Sequence, residues 1–369
     1  NLGTTKLQTQ EQQNLSDGSI NDFASADFSN DLDYQLNDAF VGVEYKFKIG
    51  NWTNKPGIYA HYYSLNNQQQ DSETTLNKFL IQPQWDSEYE FNKSETLKAT
   101  YRLTNRFPEA SRMAERFTLQ SYNSVFQGNA LLSNERYHSA NLSYNKMSMY
   151  RGLMLFANAG FNRKVNTIRN TVALNGINQF TTPTQTNNPE TNYRVNANIS
   201  KKIYRFSLRL NTSLSWFDYI QELNNIETKN HQQSQNVGLE LRTAYKKWPF
   251  VKVGYTKGFS QFQGITNSKF QTDQFSANFD YEIIKYVHLK LEYDAFTNQN
   301  INNQNTFFDL ATAQIAYQKK DSPFGFELSV YNILDTKFKN QNSFSDFLIS
   351  EQTTQILPRI IMATVRYKL

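Results

Sequence analysis

The sequence predicts an all-β fold, a transmembrane antiparallel up-and-down β-barrel. Three observations predict it: side chains alternate between apolar and polar along most of the chain, the connections alternate between short and long, and the aliphatic content is low while aromatic residues are frequent. The 369 residues are 38% hydrophobic, 15% aromatic and 19% charged. A soluble domain of this length needs a thicker apolar core, whereas a barrel needs apolar residues only at alternate positions of a short membrane band.

The alternation has the period of two that a β-strand requires. In the segment 287–296, Leu289 and Leu291 face one way and Lys290 and Glu292 face the other. Comparable segments bring the predicted count to about 16 strands. The predicted strands are 1–13, 38–49, 57–67, 77–91, 95–105, 136–147, 153–169, 190–203, 206–216, 234–246, 250–262, 275–283, 287–296, 307–319, 324–335 and 356–369.

The connections differ in length on the two sides of the predicted barrel. Short turns are predicted near 50–56, 92–94, 148–152, 246–249, 284–286 and 319–323. Long loops are predicted near 14–36, 66–76, 106–135, 170–189, 223–233, 263–271, 297–306 and 336–353. Outer-membrane barrels have short periplasmic turns and longer extracellular loops. We therefore expect a cell outer-membrane location in a Gram-negative bacterium, with extracellular long loops and a periplasmic C-terminus.

Composition excludes or disfavours several classes of protein. The chain has no cysteine, so disulfides and thiolate sites are excluded. The net charge of +5 is mild, and the basic residues are dispersed, which disfavours nucleic-acid binding. The alternative to a barrel is a soluble all-β protein, because periodicity alone does not distinguish an inward from an outward apolar face. Strand length, loop asymmetry and the last strand favour the barrel.

The polar faces of the predicted strands supply the candidate site residues. In a barrel these side chains face the lumen, and their mixed signs suggest salt-bridged walls more than a charge-selective pore. The lumen-facing candidates are Glu44, Lys98, Arg102, Arg194, Arg209, Glu240, Arg242, Lys252, Asp280, Glu282, Lys290, Glu292, Asp294 and Glu327.

The chain ends in an alternating strand with Ile361, Val365, Tyr367 and Leu369 on one face. This strand resembles the C-terminal strand of bacterial outer-membrane barrels, which implies recognition by the barrel assembly machinery. It departs from the usual pattern at Leu369, where many barrels end in phenylalanine.

Two internal segments carry a more specific resemblance. In the stretch 107–144, a proline-containing loop leads to Gly128, Asn129, Leu132 and Glu135 and then to a new strand. The segment Leu328 to Asp335 reads Leu-Ser-Val-Tyr-Asn-Ile-Leu-Asp and precedes the last loop and strand. Both resemble the TonB-dependent receptor β-barrels of Bacteroidota, in the group often joined to a carboxypeptidase-regulatory-like N-terminal domain.

The resemblance implies more than this chain contains. Barrels of that family are similar in having about 22 strands and a plug inside the lumen. Neither the plug nor the N-terminal domain is recognisable here, so we expect residues 1–369 to be the C-terminal portion of a longer barrel. The rival is a complete porin-like channel. The expected partners are outer-membrane lipid, the barrel assembly machinery, a surface lipoprotein, an unknown small ligand, and the TonB complex through an N-terminal region that is absent here.

The resemblance also implies the function. We expect energised uptake of a scarce ligand, such as a glycan, peptide or siderophore, using energy passed from the inner membrane. The alternatives are a passive porin-like channel and a structural or secretion-associated barrel that binds surface lipoproteins. The four histidines lie far apart in unrelated contexts, and no metal-ligand spacing occurs. We therefore predict no enzyme activity, no catalytic residue, no metal and no cofactor.

Overall fold

The computed structural model describes residues 1–14, 17–22, 27–69, 72–243, 248–300, 305–319, 322–344 and 349–367. Among these residues, no helix combines the length and the apolar character needed to cross a membrane.

Strands dominate the described residues, with one short helix, α1 (Ala110–Met113). In chain order the strands are β1 (Leu2–Gln8), β2 (Gln12–Asn14), β3 (Ile20–Asp22), β4 (Asp31–Glu44), β5 (Phe47–Ile49), β6 (Trp52–Gln69), β7 (Ser72–Asn92), β8 (Glu95–Arg106), β9 (Phe117–Ser121), β10 (Ser124–Gln127), β11 (Glu135–Ser148), β12 (Leu153–Val165), β13 (Thr167–Asn175), β14 (Asn178–Thr186), β15 (Glu190–Ile203), β16 (Phe206–Leu223), β17 (Ile226–Thr243), β18 (Phe250–Gln263), β19 (Ser268–Ile284), β20 (Val287–Gln299), β21 (Asn305–Gln318), β22 (Phe324–Tyr331), β23 (Phe338–Phe344), β24 (Ile349–Gln355) and β25 (Ile360–Tyr367).

Sixteen of these strands form the barrel wall, each paired antiparallel with the next along the chain. They are β1, β4, β6–β8, β11, β12, β15–β22 and β25. Side-by-side pairing satisfies the backbone hydrogen bonds of every interior strand, which is the condition for strands placed in lipid. The predicted all-β, antiparallel up-and-down barrel with about 16 strands is confirmed.

The register separates the wall into two faces with different chemistry. On β7, Phe79, Ile81 and Trp85 lie on one face and are 66%, 54% and 40% exposed. Gln82 and Gln84 lie on the other face, where both side chains are hydrogen-bonded. We name these the apolar face and the polar face. Cross-strand partners share a face in a sheet, so the same division continues around the wall.

The β8–β11 and β12–β15 connections fold onto the polar face instead of extending away from it. The connection between β8 and β11 contains α1 and the hairpin of β9 and β10, and β10 also pairs with β14. Its apolar side chains complete the main buried cluster of the described residues. That cluster comprises Leu32, Tyr34 and Leu65 from the wall, and Ala110, Met113 and Ala114 from the connection.

Several predicted long loops are wrong in extent. The strands β6 and β7 run through most of 66–76, and β16 and β17 meet at a two-residue turn inside 223–233. Asn224 and Asn225 have φ values of 50° and 63° there. Asparagine tolerates this left-handed conformation, and such turns match the twist of paired strands. Polar composition in these segments therefore marks extended hairpins and not loops.

The connection between β12 and β15 is a further correction. The predicted strand 153–169 ends at Val165, and Asn166 has a φ of 54°. The chain then forms the hairpin of β13 and β14, where 170–189 was predicted to be a loop. Asn166 is a sequence signal for a turn at this point. The residues that order the hairpin after it lie on other strands, so the local sequence does not reveal them.

The last strand, β25, pairs with β22 in register. Ile361, Val365 and Tyr367 lie on the apolar face and are exposed, and the ring of Tyr367 lies 5.1 Å from that of Phe324. Leu369 lies outside the described residues. The role of this strand in assembly stays a prediction.

Asn332 connects the end of β22 to the beginning of β25. Its side-chain amide donates to the carbonyls of Thr336 and Leu357 at 2.9 and 2.8 Å, and its oxygen accepts from the Thr336 backbone amide at 3.0 Å. Its φ is 50°, a left-handed value that asparagine adopts more readily than most residues. The Leu328–Asp335 segment therefore holds together the two ends of the connection between β22 and β25.

We expect Asn332→Gly to lower the free energy of unfolding by about 2 kcal/mol, because glycine keeps the backbone conformation but loses the three hydrogen bonds. Asn332→Ala adds about 1 kcal/mol of backbone strain. Urea titration in lipid vesicles measures both. Asn225→Gly is the control, because Asn225 is exposed with a similar φ. Equal losses in Asn332→Gly and Asn225→Gly would contradict this role.

Candidate functional site

A largely buried group of charged side chains lies on the polar face where β11 and β15 begin and β12 ends. Lys164 Nζ is 3.0 Å from Glu135 Oε1 and 2.9 Å from Glu190 Oε2. Arg169 Nε donates to Glu190 Oε1 at 2.7 Å. These four side chains are 10–21% exposed, and we name them the Lys164 cluster. Two cations and two carboxylates balance, which satisfies charges that would be costly to bury alone.

The strand register brings the Lys164 cluster together. Glu135 and Glu190 are the first residues of β11 and β15, and Lys164 pairs directly with Glu190 across the β12–β15 ladder. Glu135 also accepts from the backbone amide of Ile168 at 2.7 Å and from the Tyr137 hydroxyl at 2.8 Å. The carboxylate thus fixes the start of the β13–β14 hairpin to the wall.

Arg169 anchors the same hairpin from its other side. Its guanidinium lies 3.6 Å from the centre of the Tyr219 ring and donates to Gln221 Oε1 at 2.8 Å. Gln221 in turn donates to the carbonyl of Asn170 at 2.7 Å. A desolvated cation over an aromatic ring adds to the stability of the ion pair. The hairpin is therefore held by residues of β11, β15 and β16.

Two adjoining cavities share Lys164 and Glu190. The first has a volume of about 400 Å³, and we name it the amide cavity for its asparagines. It is lined by Tyr137, Asn141, Asn158, Gly160, Asn162, Lys164, Glu190, Asn192, Arg194 and Phe217. The second, of about 440 Å³, lies under the hairpin and includes Arg112, Gln120, Arg169, Gln179 and Gln221 in its lining.

The Gly128–Glu135 segment leads into the Lys164 cluster, because its last residue, Glu135, pairs with Lys164. A Cβ on Gly128 would lie 2.5–2.7 Å from backbone atoms of Ala114 and Arg112, so only glycine fits. The Asn129 side chain donates to the carbonyl of Pro183 and accepts from the amide of Leu131. Leu132 is 2% exposed. The residues that carried the family resemblance therefore attach the β8–β11 connection to itself and to the β13–β14 hairpin.

The opposite end of the β8–β11 connection binds the wall through Gln69. Gln69 Nε2 donates to the Met113 carbonyl at 2.8 Å, and Gln69 Oε1 accepts from the Glu115 amide at 2.9 Å. The Tyr34 hydroxyl donates to the Pro108 carbonyl at 2.9 Å. Met113 is completely buried. The connection is thus a docked part of the fold rather than a free loop.

The register places every predicted lumen-facing candidate on the polar face. Arg194 lines the amide cavity. The other candidates are distributed along the wall, and their role in the lumen stays a prediction. They are Glu44, Lys98, Arg102, Arg209, Glu240, Arg242, Lys252, Asp280, Glu282, Lys290, Glu292, Asp294 and Glu327.

Several of these candidates form ion pairs, as their mixed signs suggested. Glu240 lies 3.8 Å from Arg209 and 3.5 Å from Lys252, and Lys290 lies 2.7 Å from Glu292. The site residues predicted from the sequence do not include Lys164, Arg169 or Glu190. Lys164 and Glu190 each lie at the end of a strand, at a position that the alternation assigns to the polar face. That position is the sequence signal from which they could have been predicted.

A third cavity, of about 300 Å³, lies on the polar face beside His61. His61 Nδ1 is 2.8 Å from Asp38 Oδ1, and its ring stacks between Phe40 and Tyr63 at centroid distances of 5.1 and 5.3 Å. The third cavity also includes Arg102. Throughout the described ranges, no group of three or more His, Asp or Glu side chains could hold a metal ion.

Comparisons with known proteins give fold-level likenesses. No protein-family model and no curated protein matches the chain. The chain is similar to OmpT, an outer membrane protein of Vibrio cholerae, with a TM-score of 0.34 and 7% identity over 92% of this chain and 97% of that one. It is similar to the ferric-catecholate import receptor Fiu from E. coli K12, with a TM-score of 0.24 and 10% identity over 99% of this chain and 79% of that one.

The copper transporter OprC is similar at a TM-score of 0.27 and 9% identity, over 99% of this chain and 75% of that one. At such low TM-scores and identities, these likenesses do not show a family for the chain.

Proposed function

We propose that this chain is the barrel of an outer-membrane receptor that takes up a scarce polar ligand with energy passed from the inner membrane through TonB. The observation that carries the proposal is the docking of the β8–β11 connection and the β13–β14 hairpin onto the polar face. Beside them lie open cavities lined by amides and charges, which could hold a polar ligand.

The wall supports a membrane location. Its apolar face presents Val41, Val43, Phe79 and Ile81 with more than half of each side chain exposed. A continuous exposed apolar surface is unfavourable in water and favourable against lipid tails. Outer-membrane lipid is therefore the proposed partner of this face, and the barrel assembly machinery is the proposed partner of β25.

The docked connections favour a receptor over a passive porin-like channel. A passive channel needs a water-filled path for its solute, whereas a receptor needs a surface that holds a ligand until energy is supplied. The Lys164 cluster fixes such a surface, because each of its charges has a partner within 3.0 Å. The Gly128 and Leu328 segments, which resemble those of TonB-dependent receptors, support coupling to TonB.

The test begins with the natural full-length protein in its own membranes. We expect it in the outer-membrane fraction as a heat-modifiable band, and we expect no stepwise KCl conductance after reconstitution in planar bilayers. Steady open-channel steps would instead support the passive porin.

Energy coupling is tested in cells with labelled oligosaccharide, peptide and ferric-siderophore probes. For the probe that the cells accumulate, deletion of tonB should abolish accumulation while surface binding persists. Accumulation that is unchanged without tonB, or co-purification of a surface lipoprotein with no uptake of any probe, would overturn the proposal.

A further inference from the structure

Arg194 lines the amide cavity and has no acidic partner among the described residues. Lys164 is paired with both Glu135 and Glu190, and Arg169 is paired with Glu190. Arg194 is exposed in the cavity, and no acidic side chain of the described chain forms an ion pair with it. Its guanidinium can therefore donate two parallel hydrogen bonds to the carboxylate of a ligand.

The asparagines of the cavity offer both donors and acceptors. Asn158 Nδ2 donates to Asn141 Oδ1 at 2.7 Å, which leaves the Asn141 amide nitrogen and the Asn158 oxygen for a ligand. Asn162 and Asn192 are cross-strand partners on the same face. Hydroxyl groups donate and accept as amides do, whereas an ionised carboxylate alone offers only acceptors. This lining matches a polyhydroxylated ligand better than a simple anion.

The aromatic side chains and the volume of the amide cavity further limit the class of ligand that fits. Tyr137 and Phe217 line the cavity, and the guanidinium of Arg106 already lies 5.1 Å from the Tyr137 ring centre. An apolar ring face beside hydrogen-bonding groups suits a small amphipathic ring. The volume of about 400 Å³ falls in the range of ordinary small-ligand sites.

We propose that the amide cavity binds a carboxylate-bearing sugar. The carboxylate pairs with Arg194, the asparagines bind ring hydroxyls, and Tyr137 and Phe217 contact the ring. This inference deepens the proposed receptor function and rests on it, because the cavity would lie on the path of the ligand.

The experiment measures binding to the full-length protein in detergent by isothermal titration calorimetry. The probes are digalacturonate and its neutral counterpart galactobiose. We expect digalacturonate to bind more tightly, and Arg194→Gln to weaken digalacturonate by about 10- to 100-fold while changing galactobiose little. Arg194→Lys should bind digalacturonate less tightly than the unaltered protein and more tightly than Arg194→Gln, because a lysine keeps the charge but loses the bidentate fork.

Arg163→Gln is the matched control. Arg163 lies on the same strand as Asn162 and Lys164 but points to the apolar face, and its replacement changes the net charge equally. Heat-modifiability confirms that each variant is folded. The proposal is overturned if neither sugar binds, if both bind equally, if inorganic phosphate displaces digalacturonate at equal concentration, or if Arg163→Gln weakens binding as much. Outer-membrane location and TonB-dependent uptake would survive that failure, so the two proposals fail separately.

Discussion

Replacing Lys164 with methionine is expected to lower the free energy of unfolding by about 3 kcal/mol. Methionine keeps most of the side-chain volume but removes the cation between Glu135 and Glu190, which lie 3.0 and 2.9 Å from Lys164 Nζ. Glu190 retains Arg169, but Glu135 is left with hydrogen-bond donors and no cation. A buried carboxylate without a compensating charge is the main source of the loss.

The effect should concentrate in the β13–β14 hairpin. Urea titration in lipid vesicles measures the stability, and trypsin cleavage after Arg169 reports release of the hairpin. Lys257→Met is the control, because Lys257 pairs with Asp273 at 3.0 Å but is 53% exposed, and exposed pairs contribute little. If the two variants lose the same stability, or if Arg169 stays protected in Lys164→Met, the Lys164 cluster does not hold the hairpin.

The second large effect is expected from Gly128→Ala. The added methyl group would overlap the backbone of Arg112 and Ala114, and backbone cannot move aside as a flexible side chain can. The hydrogen bonds from Gly128 N to Ala114 O and from Asn129 N to Arg112 O, both 2.8 Å, would be lost with it. We expect about 3 kcal/mol of destabilisation, with Met113 and Leu132 released from the polar face.

The wall itself should persist in Gly128→Ala, because the substitution touches no wall strand. The expected result is a heat-modifiable barrel in which trypsin cleaves after Arg112 and Arg116. Gly3→Ala is the control, since a Cβ there would meet only the Leu36 carbonyl at an ordinary 3.6 Å. Protection of Arg112 and Arg116 equal to that of the unaltered protein would show that the connection tolerates the methyl group.

These two substitutions act on one assembly from opposite sides. Glu135 ends the Gly128–Glu135 segment and is also a member of the Lys164 cluster, so the β8–β11 connection and the β13–β14 hairpin depend on a shared residue. Asn129 adds a direct hydrogen bond to Pro183 of the hairpin at 3.2 Å. Combining Lys164→Met with Gly128→Ala should therefore give a loss that differs from the sum of the single losses.

The wall could be predicted because its physics is local. Alternation such as Leu289, Lys290, Leu291 and Glu292 places each side chain on a face whichever strand lies next to it. The connections could not be predicted in the same way. The residues 170–189 read as a polar loop, but their order comes from Glu135, Arg169 and Gln221, which the sequence scatters across strands.

The candidate site was predictable only in part. The alternation of polar and apolar positions predicted that Arg194 lies on the polar face. It predicted the same for many other charged residues and did not distinguish Arg194 from them. The sequence by itself determined the antiparallel wall and its two faces, because the period of two is a local property of each strand. Only the tertiary structure decided that Lys164 and Arg169 neutralise Glu135 and Glu190, and that Arg194 forms no ion pair among the described residues. An ion pair depends on which strand ends meet in space.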